Sequence, residues 1–141
     1  MIPEYVTDAS VILKWVLGDE KEPDQMKAMQ LLSAWAAGSV AISAPILWQY
    51  EVGNFLGREV PEEAEAKMSL LLNLKVRDIE LTGNIYQLCF NWMKKYKVSF
   101  YDAAYLAVAY NLQATLVTAD EKFVKKMEKI DCLCLLRNIE L

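Results

Sequence analysis

The stretch Ser99-Phe-Tyr-Asp-Ala-Ala-Tyr-Leu-Ala-Val-Ala-Tyr-Asn-Leu112, followed by Gln113-Ala-Thr-Leu-Val-Thr-Ala-Asp120, decides the fold. Residues 99–112 are rich in alanine and apolar almost all round, which predicts a deeply buried helix. Thr115–Thr118 is short, β-branched and apolar, which predicts a strand in the interior of a sheet. Similar pairs recur on the N-terminal side. Strands are predicted over Glu4–Thr7, Val40–Ser43 and, with alternating polarity that marks a sheet edge, Val76–Leu81. Helices are predicted over Ala9–Leu17, Gln25–Ala37 (apolar at Met26, Met29, Leu32 and Ala36), from Pro45 to about Arg58, from Pro61 onward, and over Gly83–Lys95. Asp19–Asp24 reads as a charged loop. On the C-terminal side a helix over Glu121–Lys129 and a strand over Leu133–Leu136 complete the series. Strands that alternate with helices and are mostly continuous apolar runs imply a mainly parallel sheet covered on both faces. Ligands of such folds bind at the carboxyl ends of the strands, near the switch point.

The chain has 141 residues, 55% hydrophobic and 24% charged, with a formal charge of −4. That length suits one domain spanning 1–141, and the composition excludes a disordered or fibrous class. There is no histidine, which excludes Ser-His-Asp chemistry and imidazole zinc sites. Cys89, Cys132 and Cys134 are too few for an all-cysteine zinc site and read as small hydrophobes in a reducing compartment. The start of the chain lacks a basic segment followed by an apolar one, and the longest uncharged run, Ala28–Tyr50, is broken at Gly38-Ser39. A cytoplasmic protein with no membrane contact is expected. Residues 1–93 carry a balance of −6, whereas 94–129 hold seven lysines against four acids, a balance of +3. Lys122, Lys126 and Lys129 share one face of the predicted helix, either as a solvated face or as a phosphate-contacting rim.

Four carboxylates fall at the ends where such a sheet binds ligands. Asp8 closes the first strand, Asp120 follows Thr115–Thr118, Asp102 opens the buried helix, and Glu51 lies in the third helix. Each acid has an ordinary structural explanation. Asp8 can cap a helix. Ser99-x-x-Asp102 resembles a capping box, and Thr118-x-x-Glu121 is one, making Asp120 a first-turn acid. Glu51 stands about six residues past Pro45, outside the reach of a helix dipole there, with pairing to Arg58 as its ordinary role. Together, clustered carboxylates without imidazole or thiolate select a hard cation, Mg²⁺ or Mn²⁺. The chain has no Walker A or dinucleotide fingerprint, and phosphate chemistry with water activated by metal is what such a site suggests.

Val6-Thr-Asp8-Ala-Ser10, Tyr50-Glu51-Val-Gly-Asn54, Ser99-Phe-Tyr-Asp102-Ala-Ala-Tyr-Leu-Ala and Leu116-Val-Thr118-Ala-Asp120 occur in the order found in the PIN-domain nucleases, and the chain most resembles their VapC-type toxins. The resemblance implies a three-layer, Rossmann-like domain with about five mainly parallel strands. It also implies Asp8, Glu51, Asp102 and Asp120 as the acidic quartet of a metal-dependent endoribonuclease. Asp8 and Asp102 would be direct ligands, with Glu51 and Asp120 serving a second metal or its water. Ser10, Asn54 and Thr118 would support the acids. RNA, a cognate antitoxin and a second copy of the chain would be partners, and products would carry 5′-phosphate and 3′-hydroxyl ends. Ala9 departs from the Thr or Ser of many relatives, and Gly53 costs about 1 kcal/mol in a helix unless it permits close packing. Trp15, Trp35, Trp48 and Trp92 read equally as core or as partner surface. The other readings are a PIN-like binding module that does not cleave and a housekeeping RNA-processing nuclease.

Overall fold

The computed structural model describes residues 1–18 and 23–141. Its elements run β1 (Glu4–Thr7), α1 (Ala9–Lys14), α2 (Pro23–Ala36), β2 (Ala41–Pro45), α3 (Trp48–Glu59), α4 (Ala64–Leu74), β3 (Arg77–Ile79), α5 (Gly83–Tyr96), α6 (Phe100–Leu112), β4 (Thr115–Thr118), α7 (Glu121–Lys126), β5 (Leu133–Leu135) and a 3₁₀ turn (Leu136–Asn138). The sheet has the order β3-β2-β1-β4-β5 and every pairing is parallel. This is the expected five-stranded α/β architecture, with the alternating strand β3 at an edge. From β1 the chain moves outward through β2 to β3, then returns past β1 to β4 and β5, so the order reverses between β1 and β4. Right-handed crossovers then put α1–α4 on one face and α5–α7 on the other.

The quoted helix is the inner wall of the molecule. Ala103 through Ala109 are all buried, and α6 crosses β1, β2 and β4. Small side chains let its backbone lie close to the sheet, while Leu106 and Val108 fill the space between. Its N-cap is Ser99, whose hydroxyl accepts from the Asp102 amide at 3.1 Å. Gly38 (φ +76°) reverses the chain after α2, a conformation that side chains resist.

Several boundaries differ from the sequence reading. Pro45 is the last residue of β2 and α3 begins at Trp48, because β2 extends two residues further to pair with β3. Residues 61–63 form a turn before α4. Residues 19–22 of the expected charged loop lie outside the described residues, and Pro23 and Asp24 open α2. The stripe Met26, Met29, Leu32, Ala36 is not the core face of α2: Met26 and Met29 are exposed, and Ala28 and Leu31 are buried. Two polar clamps rotate the helix that way, Trp15 Nε1 donating to the Ala28 carbonyl at 3.0 Å and Gln25 Nε2 to the Lys14 carbonyl at 2.7 Å. Trp15, Trp48 and Trp92 are core, while Trp35 is half-buried against Trp15. The three cysteines are free thiols. Among the described residues no helix is long and apolar enough to cross a membrane.

A Cβ added at Gly53 meets nothing within 4 Å, so close packing does not explain this glycine. Gly53→Ala is predicted to raise stability by about 0.5–1 kcal/mol, read as a higher urea midpoint at unchanged slope. Ala107→Leu, which forces a larger side chain under α6, is predicted to cost about 1–3 kcal/mol in the same assay.

Candidate active site

The topology brings four helix N-termini to one end of the sheet. Helices that return between parallel strands run antiparallel to them, so α1, α3, α6 and α7 all begin at the strands' carboxyl ends. Each carries an acid there. Asp8 is the N-cap of α1 and accepts from the Val11 amide at 3.2 Å. Asp120 is the N-cap of α7 and accepts from the Phe123 amide at 3.0 Å. Glu51 and Asp102 stand in the first turns of α3 and α6. Two expectations are corrected here. Glu51 does lie within reach of its helix dipole, since α3 begins three residues before it. Asp120 is itself the cap, while Thr118 Oγ1 accepts from the Asp120 amide at 3.1 Å, so the Thr118-x-x-Glu121 box does not form.

Asp8 sits at the reversal point and is held from three sides. Ser10 Oγ donates to Oδ1 at 2.5 Å, and Thr118 Oγ1, across the β1–β4 seam, donates to Oδ2. Ser10 Oγ also accepts from the Ala119 amide at 3.1 Å, which ties the ends of β1 and β4 together. Ser10 and Thr118 therefore both hydrogen-bond the Asp8 carboxylate. Oδ1 accepts two hydrogen bonds (Ser10 Oγ and Val11 N) and Oδ2 one, which leaves a lone pair free on Oδ2.

Burial dominates the electrostatics. It pushes the Asp8 carboxyl up to about 6, against the hydroxyl and amide donors that pull it down, with Asp102 adding repulsion. Asp102 is raised by burial and then by Asp120, and is held down by Ser99 and Lys126. Glu51 is raised by burial, with Asp102 again repelling and Tyr105 opposing. Asp102 is thus the common neighbour that feels or perturbs each of the other three acids. Tyr105, one turn further along α6, is buried and its hydroxyl ionisation is pushed far up by burial and then by Glu51, Asp8 and Asp102. Glu51 Oε1 and the Tyr105 hydroxyl are both buried and close enough to interact, but they do not meet the geometry of a full hydrogen bond, and neither has another partner among the described residues.

Two concavities flank this centre. Asp102 and Asp120 line one of about 170 Å³ with Lys97, Lys122 and Lys126. Glu51 and Asn54 line a cleft of about 460 Å³ with Tyr50, Arg58 and Tyr101. Asn54 is exposed in that cleft and makes no hydrogen bond to Glu51. Arg58 pairs with Glu59 at 3.0 Å rather than with Glu51, and its guanidinium lies over the Phe55 ring. Lys122 and Lys126 reach the site; Lys129 does not, because α7 ends at Lys126 and the following turn breaks the expected helical face. Tyr105 and Lys97 are members that sequence reasoning missed. Tyr105 lies within the buried apolar run of α6, where nothing in the sequence sets it apart from the core. Lys97 sits at a left-handed C-cap (φ 58°) that nothing in the sequence marks.

The donor set suits a hard divalent cation in kind. It is all carboxylate oxygen, it includes a buried unpartnered Oε1 on Glu51, and Asp8 keeps a free lone pair on Oδ2. Asp8 and Asp102 are residues that could hold it. Among the described residues no three His, Cys, Asp or Glu side chains are gathered into a ready-made cage, so an ion would have to draw the carboxylates together.

A doubly wound parallel α/β protein with an acid at each helix N-terminus of its switch-point end is the class that fold and site define. The PIN domain family model matches residues 5–129, and the chain belongs to that family. Comparison with curated proteins finds no match. Several solved structures share the fold. A toxin–antitoxin complex from Klebsiella pneumoniae contains a chain 18% identical (TM-score 0.72), covering 96% of this chain and 99% of that one. VapBC2 from Rickettsia felis, solved on a DNA fragment from its promoter, gives 15% identity (TM-score 0.67), covering 94% of this chain and 96% of that one. VapC20 from Mycobacterium tuberculosis, a sarcin–ricin-loop-cleaving toxin, gives 19% identity (TM-score 0.65), covering 87% of this chain and 95% of that one.

The raised carboxyls fix the sign of a pH dependence. The folded, cation-free protein holds its Asp8 proton more tightly than the unfolded chain does, so stability is highest below the ordinary value of 3.8 and declines as pH rises toward 6. For Asp8 the full decline is at most about 3 kcal/mol, and Glu51 and Asp102 act in the same direction. In chelator, thermal melts are predicted to show a higher Tm at pH 5 than at pH 7.5. Asp8→Asn is predicted to flatten that difference and raise the Tm at pH 7.5.

Proposed function

We propose that this chain is a divalent-metal-dependent endoribonuclease, the toxin of a toxin–antitoxin pair, that hydrolyses RNA phosphodiesters. Membership in the PIN family and the likeness to toxin structures support the class. The observation that carries the reading is the clamped Asp8. A carboxyl raised to about 6 by burial, yet supplied with three donors to keep its charge, is costly to the folded protein and is explained by a cation that binds the ionised form.

Asp8, through Oδ2, and Asp102 would hold Mg²⁺ or Mn²⁺, with Asp120 and Glu51 completing its surroundings. The ion, when bound, neutralises charge on the phosphodiester and lowers the pKa of water. Ser10 and Thr118 keep the Asp8 carboxylate oriented. Lys122 and Lys126 bind flanking phosphates, offsetting the acids that would otherwise repel RNA. Glu51, which lines the adjoining cleft and has its Oε1 buried near the Tyr105 hydroxyl, would keep negative charge beside the ion's water. Histidine is absent from the chain, so no imidazole serves as acid or base, and hydrolysis yields 5′-phosphate and 3′-hydroxyl ends. A small antitoxin that covers the site is the expected protein partner, and a second copy of the chain a further one.

Millimolar Mn²⁺ is predicted to raise the Tm at pH 7.5, by about 2.7 kcal/mol of stabilisation at 100 times Kd. The same ion is predicted to switch on cleavage of single-stranded RNA. Asp8→Asn/Asp102→Asn is predicted to abolish both effects, and Thr118→Val to weaken Mn²⁺ binding about 10- to 100-fold. Cleavage that survives the double substitution contradicts the assignment.

A further inference from the structure

Beside Asp102 the surface turns aromatic. Phe100 and Tyr101 are the first two residues of α6, directly before Asp102. Tyr86 and Phe90 stand one turn apart on α5. The four rings form one continuous array: Phe100–Tyr101 at 6.1 Å between centroids, Phe100–Tyr86 at 5.9 Å and nearly parallel, Phe100–Phe90 at 6.1 Å and Tyr86–Phe90 at 6.3 Å. Phe100 is the half-buried hub. The other three are exposed: Tyr86 at 42%, Phe90 at 58% and Tyr101 at 54%. Tyr101 also lines the cleft that holds Glu51, so the array runs into the site rather than past it. Lys97, Lys122 and Lys126 line a separate concavity, the one that Asp102 shares with Asp120.

Positive charge and exposed rings that both border an acidic centre suit a single nucleic-acid strand. Its phosphates need cations and its unpaired bases need π-faces. A base-paired duplex keeps its base faces stacked inward and has no use for such rings.

We infer that Tyr86, Phe90 and Tyr101, braced by Phe100, are a base-stacking platform that holds the unpaired bases of a single-stranded substrate, while Lys97, Lys122 and Lys126 hold its phosphates, so that the strand crosses the site at Asp102. This deepens the nuclease reading and rests on it for the identity of the ligand. The platform selects unpaired over paired RNA and tolerates any base sequence, because every base offers a π-face.

Two probes separate the bases from the backbone: a 20-nucleotide single-stranded RNA and an abasic ribose-phosphate strand of equal length. Fluorescence anisotropy in chelator, at low salt, gives the ratio of their affinities for the full-length protein. The parent is expected to prefer the base-bearing strand by about tenfold or more. Tyr86→Ala/Phe90→Ala is expected to bring that ratio close to 1, and Tyr86→Trp/Phe90→Trp to keep it. Lys122→Ala/Lys126→Ala is expected to weaken both probes alike and to reduce the salt slope by about 2. Circular dichroism melts establish that each variant is folded. Equal binding of the two probes by the parent overturns the platform. So does an unchanged ratio in a folded Tyr86→Ala/Phe90→Ala protein. If sedimentation shows that this variant loses a dimer that the parent forms while the ratio persists, the rings are an interface between copies and the inference is wrong. Cleavage by the parent in Mn²⁺ is scored separately: cutting without base preference refutes the platform alone, and base preference without cutting refutes the nuclease reading alone.

Discussion

Everything at the functional end of this molecule depends on carboxylates being kept together that repel one another. Asp8, Glu51, Asp102 and Asp120 sit at the start of four helices whose N-termini the parallel sheet delivers to one place. The partial positive charge of those N-termini and their free amides lower the cost of each carboxylate. They do not remove it, because burial still leaves Asp8, Glu51 and Asp102 raised. The fold is the means by which an unfavourable arrangement of charge is made tolerable, and a bound cation is what would make it favourable.

Asp8 shows how closely structure and proposed chemistry are joined. The same carboxyl caps α1, bridges the β1–β4 seam through Thr118 and keeps one lone pair for a ligand. A helix cap and a metal ligand are often treated as rival explanations of an aspartate. Here the cap bond engages Oδ1, while Oδ2, which accepts from Thr118, keeps one lone pair for the proposed ligand. Asp120 repeats the pattern at α7. Lysines line the concavity that Asp102 shares with Asp120, and Tyr101 of the aromatic array lines the cleft that holds Glu51.

Much of this was legible in the residues. The continuous apolar run of α6 identified the buried helix that runs antiparallel to the sheet, and the alternation over 76–81 identified β3 as an edge. The strand-end acids followed from the same alternation of elements. What was not legible was decided by tertiary pairing. Pro45 reads as a helix start, yet β2 continues through it because β3 pairs alongside. That two-residue change moves the start of α3 and puts Glu51 inside a helix dipole. The face of α2 was set by the indole of Trp15 and the amide of Gln25, which no periodicity encodes. Lys129 left the basic rim because α7 ends one turn early, and Lys97 joined it through a left-handed cap. Tyr105 was hidden among apolar neighbours: its role lies in an unpartnered hydroxyl, which shows only once Glu51 is placed opposite.

The central claim is that Asp8 and Asp102 grip one divalent ion at the switch point of the sheet. Anomalous diffraction from crystals soaked in Mn²⁺ tests it most directly. The account predicts a manganese peak bonded to Asp8 Oδ2 and to the Asp102 carboxylate. A map with no peak there, or with manganese bound only elsewhere on the surface, would contradict it.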